Sequence, residues 1–200
     1  MTLPLLRNIP DSLETARLLI RVPQAGDGPA LNAAVCDSLD ELRPWMPWAQ
    51  QPPSLDESEE VARQARVQFL ERSNIMLLLT LKGTDTIIGG SGLHRIDWDV
   101  PRFEIGYWRR TGYEGQGYVA EAVGGITAFA FDVLGAQRVE IRMDGRNLRS
   151  RAVAERAGYY LEGELRQDSR AVDGSLRSTL VFSLLPDEYR RRIADGREGG

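Results

Sequence analysis

The chain predicts an α/β fold of the α+β kind, a mixed and mostly antiparallel sheet with helices packed on it. Three features carry the prediction. Two apolar strands, Ile75 to Lys82 and Thr86 to Leu93, flank a Gly83–Asp85 turn and read as an antiparallel hairpin. Asp173-Gly174 marks a second hairpin near the C-terminus. Between them, an alternating segment from Arg102 to Trp108, a long helical pattern and a second alternating segment from Arg138 to Met143 form a strand–helix–strand crossover, whose two strands run parallel.

The elements follow in order. Ser12 to Val22 reads as a first strand, with Leu18, Ile20 and Val22 alternating against Leu19 and Arg21. Pro23 to Gly28 is a turn, and Pro29 suits the first turn of a helix running to about Leu39. Leu42-Arg-Pro-Trp-Met-Pro-Trp48 is too rich in proline for regular structure. Ser54 and Glu57 form a capping-box pattern before a helix whose buried face is Val61, Ala65 and Phe69. In the strand from Arg102, Phe103, Ile105 and Tyr107 face one way and Glu104, Gly106 and Trp108 the other. Val119, Val123, Ile126, Ala130 and Val133 describe a helix of about five turns, capped by Gly135. Gly124 and Gly125 inside it each cost roughly 1 kcal/mol relative to alanine, which close packing on a sheet would justify. A short helix spans about Leu148 to Ala157 and stops at Gly158, and Leu176, Leu180, Phe182 and Leu184 carry the apolar pattern of the last strand pair. The chain after Tyr189 is charged, then glycine-rich, and is expected to fray. This divides the chain into an N-terminal extension (1–11), one domain (12–186) and a C-terminal tail (187–200).

Composition narrows the function. The 200 residues are 42% apolar and 27% charged with a net charge of -4, as expected for one soluble domain. Without a basic excess, nucleic acid is not an expected partner. No apolar run approaches the roughly 20 residues of a membrane span, so no membrane partner is expected either. One cysteine (Cys36) and one histidine (His94) exclude an internal disulfide and a His- or Cys-based zinc site, so no metal is expected. The start, MTLPLLRNIPDS, has no signal-peptide pattern, and cytoplasmic residence is the expectation. The oligomeric state stays open, with a homodimer among the options.

The most informative stretch is Tyr113-Glu-Gly-Gln-Gly-Tyr-Val-Ala-Glu121, between a strand and the long helix. Glycines let the backbone approach a phosphate closely, and the helix start adds free N–H groups and the positive end of a dipole. No Gly-Lys-Ser/Thr follows, so it is not a P-loop. Gly115, Gly117 and Ala120 formally match a dinucleotide fingerprint with Glu140 twenty residues on, but Arg109 to Glu114 separate the loop from its strand, and the neighbouring strands read as hairpins. A plain glycine-rich turn before a core helix remains a third reading of the loop alone.

The loop has company. Phe103-Glu-Ile-Gly-Tyr-Trp108, Gly115-Gln-Gly-Tyr118 with Glu121-Ala122, Asn147-x-x-Ser150, Ala157-Gly-Tyr159 and Glu162-Gly163 together resemble the GNAT acetyltransferase superfamily. With Glu14-Thr-Ala-Arg-Leu18 and the Leu42–Trp48 segment, the pattern resembles its RimJ/RimL type, which acetylates ribosomal-protein N-termini. The resemblance spans about residues 12 to 186. It implies a sheet of six to seven strands whose central parallel pair splays, with acyl-CoA entering between Arg102–Trp108 and Arg138–Met143. It implies that the backbone amides of Gly115, Gln116, Gly117, Tyr118, Val119 and Ala120 hold the pyrophosphate, that Tyr107 and Trp108 line the pantetheine arm, and that Asn147 contacts its amide region. Glu114 and Val119 depart from the superfamily loop pattern, and Glu114 would set a carboxylate near the pyrophosphate unless it points away.

The implied reaction moves an acetyl group from acetyl-CoA to a primary amine, possibly a protein N-terminus, by direct attack through a tetrahedral intermediate. The amine must be neutral. At neutral pH that costs roughly 4 kcal/mol for a lysine (pKa about 10.4) and only about 1 for an α-amine (about 8). Glu104 is the candidate base, directly or through a water, against the alternative of a sheet-surface ion pair. His94 is a second candidate. A backbone N–H near Gly106–Tyr107 would hold the oxyanion. The superfamily's proton-donating tyrosine is replaced by Ala154, and RimL-like proteins carry a serine at the position of Ser150, the candidate acid. Trp45 and Trp48 are candidates for the acceptor groove, and Arg146, Arg149 and Arg151 for the CoA 3′-phosphate. Two rivals are another acyl group, such as succinyl, and an acyl-CoA-binding module without turnover.

Overall fold

The computed structural model describes residues 3–198, so the outermost ends of the expected N-terminal extension and C-terminal tail lie outside it. Eight strands form one sheet: β1 (Ser12–Glu14), β2 (Leu18–Arg21), β3 (Ile75–Leu81), β4 (Ile87–Asp97), β5 (Arg102–Arg109), β6 (Arg138–Asp144), β7 (Tyr160–Arg170) and β8 (Leu176–Leu184). Their spatial order is β1-β2-β3-β4-β5-β6-β8-β7. Only β5 and β6 run parallel, the pair that the strand–helix–strand pattern predicts. The strand count exceeds the six to seven expected. One reason is that the expected first strand is two: Thr15 N–H donates to the Leu18 carbonyl, and Leu18 N–H donates back to Thr15 Oγ1, folding Ser12–Arg21 into a hairpin.

The helices are α1 (Gly28–Cys36), α2 (Leu39–Leu42), α3 (Leu55–Glu71), α4 (Tyr118–Ala128), α5 (Leu148–Arg156) and α6 (Pro186–Glu198). The capping box at α3 is complete: Ser54 Oγ accepts from Glu57 N–H, and Glu57 accepts from Ser54 N–H. Its buried residues are Ser58, Ala62, Ala65 and Phe69, whereas Val61 faces water, one position off the expected face. The long central helix changes pitch. After Ala128 it widens into a π turn over Phe129–Val133, which leaves Val133 exposed and brings Phe129 and Ala130 into the core. Gly135, with φ +72°, ends it as expected.

The chain after Tyr189, expected to fray, is helical in the described residues. It continues α6, and Tyr189 docks the helix by stacking on Phe131 with ring centroids 4.7 Å apart while its hydroxyl donates to Asp132. The sequence conceals this because the anchors are single residues in a charged stretch.

Strand alternation sorts the core into two layers. Leu77, Leu93, Phe103, Ile105, Val139 and Ile141 belong to the cluster that holds Ala122, Val123 and Ile126 of α4. Leu78 and Ile87 join Leu31, Ala34, Val35 and Leu39 of α1 and α2, with Trp108 packed against them. The two glycines inside α4 differ. A Cβ on Gly125 would lie 2.7 Å from Thr15 Cγ2 and 3.2 Å from Leu13 Cδ1, so β1 packs directly on the helix there, whereas Gly124 faces open space. Gly124→Ala is therefore expected to stabilise the protein by about 0.5–1 kcal/mol through helix propensity. Gly125→Ala is expected to lower stability by about 1 kcal/mol, overpacking outweighing propensity. Urea unfolding of the two variants checks the difference in sign.

Candidate active site

β5 and β6 pair at only three positions, Arg102↔Arg138, Phe103↔Val139 and Glu104↔Glu140. Both strands run on, to Arg109 and Asp144, without pairing further, so a wedge opens between them. Main-chain direction along β5 is set from outside. Arg110 N–H donates to the Ile88 carbonyl of β4, and the Pro101 carbonyl accepts from Gln137 and Arg138 N–H at the start of β6. By alternation, Gly106 and Trp108 turn their main-chain groups to β4, and Ile105, Tyr107 and Arg109 turn theirs into the wedge.

At the wide end of the wedge lies the glycine loop. Gly115 and Gly117 adopt φ of +69° and +78°, which the loop needs and other residues resist. No side chain caps α4, and no protein acceptor among the described residues takes the amides of Gly115 to Ala120. The six amides singled out in the sequence therefore sit together at a positive helix end. Glu114 points away from them: its carboxylate accepts Gly112 N–H at 2.9 Å and pairs with Arg109 at 2.7 Å. In its place Arg17 meets the loop. It donates to the Gln116 carbonyl at 2.9 Å, lies 4.4 Å over the Tyr118 ring and pairs with Glu121 at 2.6 Å. Burial pushes the Glu121 carboxyl up, but hydrogen bonds from Thr15 and Arg17 outweigh it and hold the group below its ordinary value. Arg17 is a site residue that sequence reasoning missed. The signal was present in Glu14-Thr-Ala-Arg-Leu18, but only the hairpin turn delivers its side chain to a loop 100 residues away.

On the face of β5 toward α5, the Tyr107 hydroxyl is 2.9 Å from Ser150 Oγ and 3.0 Å from the Ser150 carbonyl. Burial pushes the Tyr107 phenol up to about 12, against a smaller lowering by Ser150. Ser150 and Tyr107 thus form a pair that neither residue's position in the sequence announces. Ala154, where the superfamily tyrosine would stand, is fully buried. Asn147 caps α5, its Oδ1 accepting Ser150 N–H at 3.0 Å, so its structural role is to orient Ser150. The three arginines singled out nearby are all paired: Arg146 with Asp144, Arg149 with Glu41 and Arg151 with Glu155.

The opposite face of β5 carries Glu104, Gly106 and Trp108. Trp108 therefore points away from Tyr107, rather than lining one surface with it, and packs edge-on to Trp48 with centroids 6.1 Å apart. Glu104 stands at the last paired position before the strands part. Arg95 approaches it at 3.4 Å, yet Glu104 Oε2 is buried and makes no hydrogen bond among the described residues. Burial raises its pKa; Arg95 and Arg142 pull it back, and Glu140 adds to the rise. Across the β4–β5 ladder is His94, whose Nδ1 is 2.7 Å from Asn74 Oδ1 and whose pKa is lowered by burial. The site thus has two chemically distinct sides, a hydroxyl pair on the α5 face and a carboxylate with an imidazole on the other. Among the described residues no cluster of His, Cys, Asp and Glu could hold a metal ion, and no helix is long and apolar enough to cross a membrane.

Comparison with known proteins agrees with this architecture. Residues 17–160 match the family described as "Acetyltransferase (GNAT) domain". The chain is 31% identical over 173 residues to the "Putative ribosomal N-acetyltransferase YdaF" of Bacillus subtilis (strain 168), covering 86% of this chain and 93% of that one. It is 29% identical over 140 residues to the "Ribosomal-protein-serine acetyltransferase" of Escherichia coli (strain K12), covering 68% and 75%. The fold superposes with a TM-score of 0.81 on the microcin C7 self-immunity acetyltransferase MccE, crystallised with acetyl-CoA and AMP, at 21% identity over 88% of this chain and 97% of that one. With a parallel pair splayed beside an uncapped glycine loop, and a family match over most of its length, the chain belongs to the GNAT acetyltransferase family.

Proposed function

We propose that the protein transfers the acetyl group of acetyl-CoA to a primary amine, with the α-amine of a protein N-terminus as its acceptor class. The observation that carries this reading is the early parting of β5 and β6 beside the Gly115–Ala120 amides. In this reading those amides take the diphosphate, and the pantetheine arm lies along the free edge of β5 as an added strand would. The Tyr107 N–H, which faces the wedge, holds the oxyanion of the tetrahedral intermediate. The E. coli relative, named a ribosomal-protein-serine acetyltransferase, supports a protein acceptor. The chemistry of the base points to an α-amine: an ammonium of pKa about 8 gives its proton to a carboxylate more readily than a lysine of about 10.4, and burial raises Glu104 in the direction that helps.

Glu104 takes a proton from the bound ammonium on one face of β5. Ser150 Oγ, backed by the Tyr107 hydroxyl, protonates the departing thiolate on the other face. Tyr107 thereby supplies a phenol from the strand where Ala154 leaves none on the helix. Release of CoA thiol from acetyl-CoA in the presence of N-terminal peptides and small amines tests the reading. Turnover with a peptide α-amine is expected. Tight CoA binding without turnover would leave only a binding module, and turnover with succinyl-CoA alone would change the donor.

Two predictions follow from the assigned roles. A positioned base contributes about 100- to 10,000-fold, so Glu104→Gln is expected to lower kcat by at least about tenfold, more for lysine than for α-amine acceptors. It should also move the optimum to higher pH, because the amine must then lose its proton unaided; an unchanged pH–rate profile rejects the role. Ser150→Ala is expected to lower kcat about tenfold to a hundredfold with little change in the KM for acetyl-CoA, and Tyr107→Phe somewhat less. Replacing acetyl-CoA by a thioester with a more acidic thiol should erase both effects.

A further inference from the structure

His94 lies outside the roles assigned so far, and its surroundings are unusually specific. Its imidazole does not project from β4 into solvent. It lies over two glycines: a Cβ on Gly92 would meet the Ile75 carbonyl oxygen at 2.5 Å and His94 Nε2 at 3.0 Å, and a Cβ on Gly106 would meet Nε2 at 3.2 Å. The ring therefore crosses from β4 onto β5, and Nε2 rests above Gly106, one residue from the Tyr107 amide that faces the wedge and two from Glu104. Any side chain at Gly92 or Gly106 would displace it.

Its protonation is set from behind. Asn74 Nδ2 donates to Gln68 Oε1 at 3.0 Å, which fixes the amide so that Asn74 Oδ1 is the acceptor facing His94 Nδ1 at 2.7 Å. In that arrangement Nδ1–H donates to Asn74 Oδ1, and Nε2 presents a lone pair. Among the described residues, nothing donates to Nε2. Burial lowers the pKa of the ring, which keeps that lone pair available at neutral pH. The charged groups on this face are Glu104 from β5, Arg95 from β4, and Arg138, Glu140 and Arg142 from β6, with Glu162 of β7 paired to Arg138; Asn74 and Gln68 behind the ring are neutral.

Acetyl transfer to an ammonium requires the nitrogen to lose two protons, and a single carboxylate can hold one. We infer that His94 Nε2 takes the second proton of the acceptor nitrogen, in an enzyme where Glu104 takes the first. This rests on the proposed acetyl transfer. Glu104 removes one proton from the ammonium. The nitrogen lone pair forms the C–N bond, and the carbonyl π pair moves to oxygen. The new nitrogen is positively charged, and His94 Nε2 accepts one of its protons. The oxyanion pair re-forms the carbonyl, the C–S bond breaks, and the thiolate takes the Ser150 proton. Two protons end on Glu104 and His94 and one leaves the Ser150–Tyr107 pair, so one proton net passes to solvent, as the reaction demands.

The test uses the full chain, saturating acetyl-CoA and a peptide with a free N-terminal serine. If both groups must be unprotonated, log kcat in wild type rises with pH at a limiting slope of about two, falling to about one in His94→Gln, with kcat at least about tenfold lower and KM within about twofold. Asn74→Asp places a carboxylate on Nδ1–H, raises the ring pKa, and should move the acid limb up by roughly one pH unit. Ring-nitrogen NMR of the wild type should show Nδ1 protonated and Nε2 bare, a readout that needs neither turnover nor a folded variant. Wild-type turnover combined with an unaltered slope and rate in His94→Gln, an acid limb unmoved in Asn74→Asp, or an Nε2–H tautomer each overturns the His94 assignment and leaves the acetyltransferase standing. A wild type that transfers acetyl to no amine overturns the function, and this assignment with it.

Discussion

Beyond Glu104 and Glu140, the one parallel pair among the described strands stops being a pair. Backbone groups in a sheet interior ordinarily find partners in the next strand, because an unpaired buried donor costs as much as a lost hydrogen bond. Here the groups of Ile105, Tyr107 and Arg109 face a wedge that stays open to a ligand. The neighbouring elements hold the strands in this posture. On one side β5 is paired to β4 along its length, and on the other β6 is paired to β8, so the two halves of the sheet are joined by strand pairing only at the narrow end. Both helices that follow the parallel strands, α4 and α5, begin at the wide end; the first turn of α4 is left uncapped, with free amides at its positive dipole end, whereas α5 is capped by Asn147.

The period of two in a strand then divides the chemistry. Glu104 and Tyr107 are three residues apart on β5, so their side chains lie on opposite faces. In the proposed reaction this separation keeps the proton acceptor and the proton donor from exchanging protons with each other and lets them act on the two sides of one tetrahedral carbon. Burial acts on each group in the same sense, disfavouring charge: it raises the Glu104 carboxyl and the Tyr107 phenol and lowers the His94 imidazole.

Much of this was legible in the sequence because it depends on local period. Alternation placed Glu104 opposite Phe103 and Ile105, the crossover pattern identified the parallel pair, and Gly115 and Gly117 marked the loop. What stayed hidden depends on contacts between distant segments. The Tyr107–Ser150 pair exists only because α5 docks beside β5, with Asn147 spent on capping that helix. Glu114 reads as an electrostatic fault until Arg109 and the Gly112 amide turn it aside. Arg17 reaches the loop through a hairpin that reads as one strand, and α6 docks through Tyr189 in a stretch whose composition suggests fraying. His94 reads only as a second candidate base at a strand end, since nothing in one dimension shows that its ring lies over Gly92 and Gly106.

Calorimetric titration of the protein with CoA and, separately, with pantetheine probes the central claim most directly, since pantetheine keeps the arm that would lie along β5 and lacks the diphosphate. If the Gly115–Ala120 amides grip that diphosphate, CoA should bind one to one and pantetheine on the order of a hundredfold more weakly, as the loss of one or two charge-assisted hydrogen bonds dictates. Equal affinity for the two, or no heat with millimolar CoA, would contradict the account.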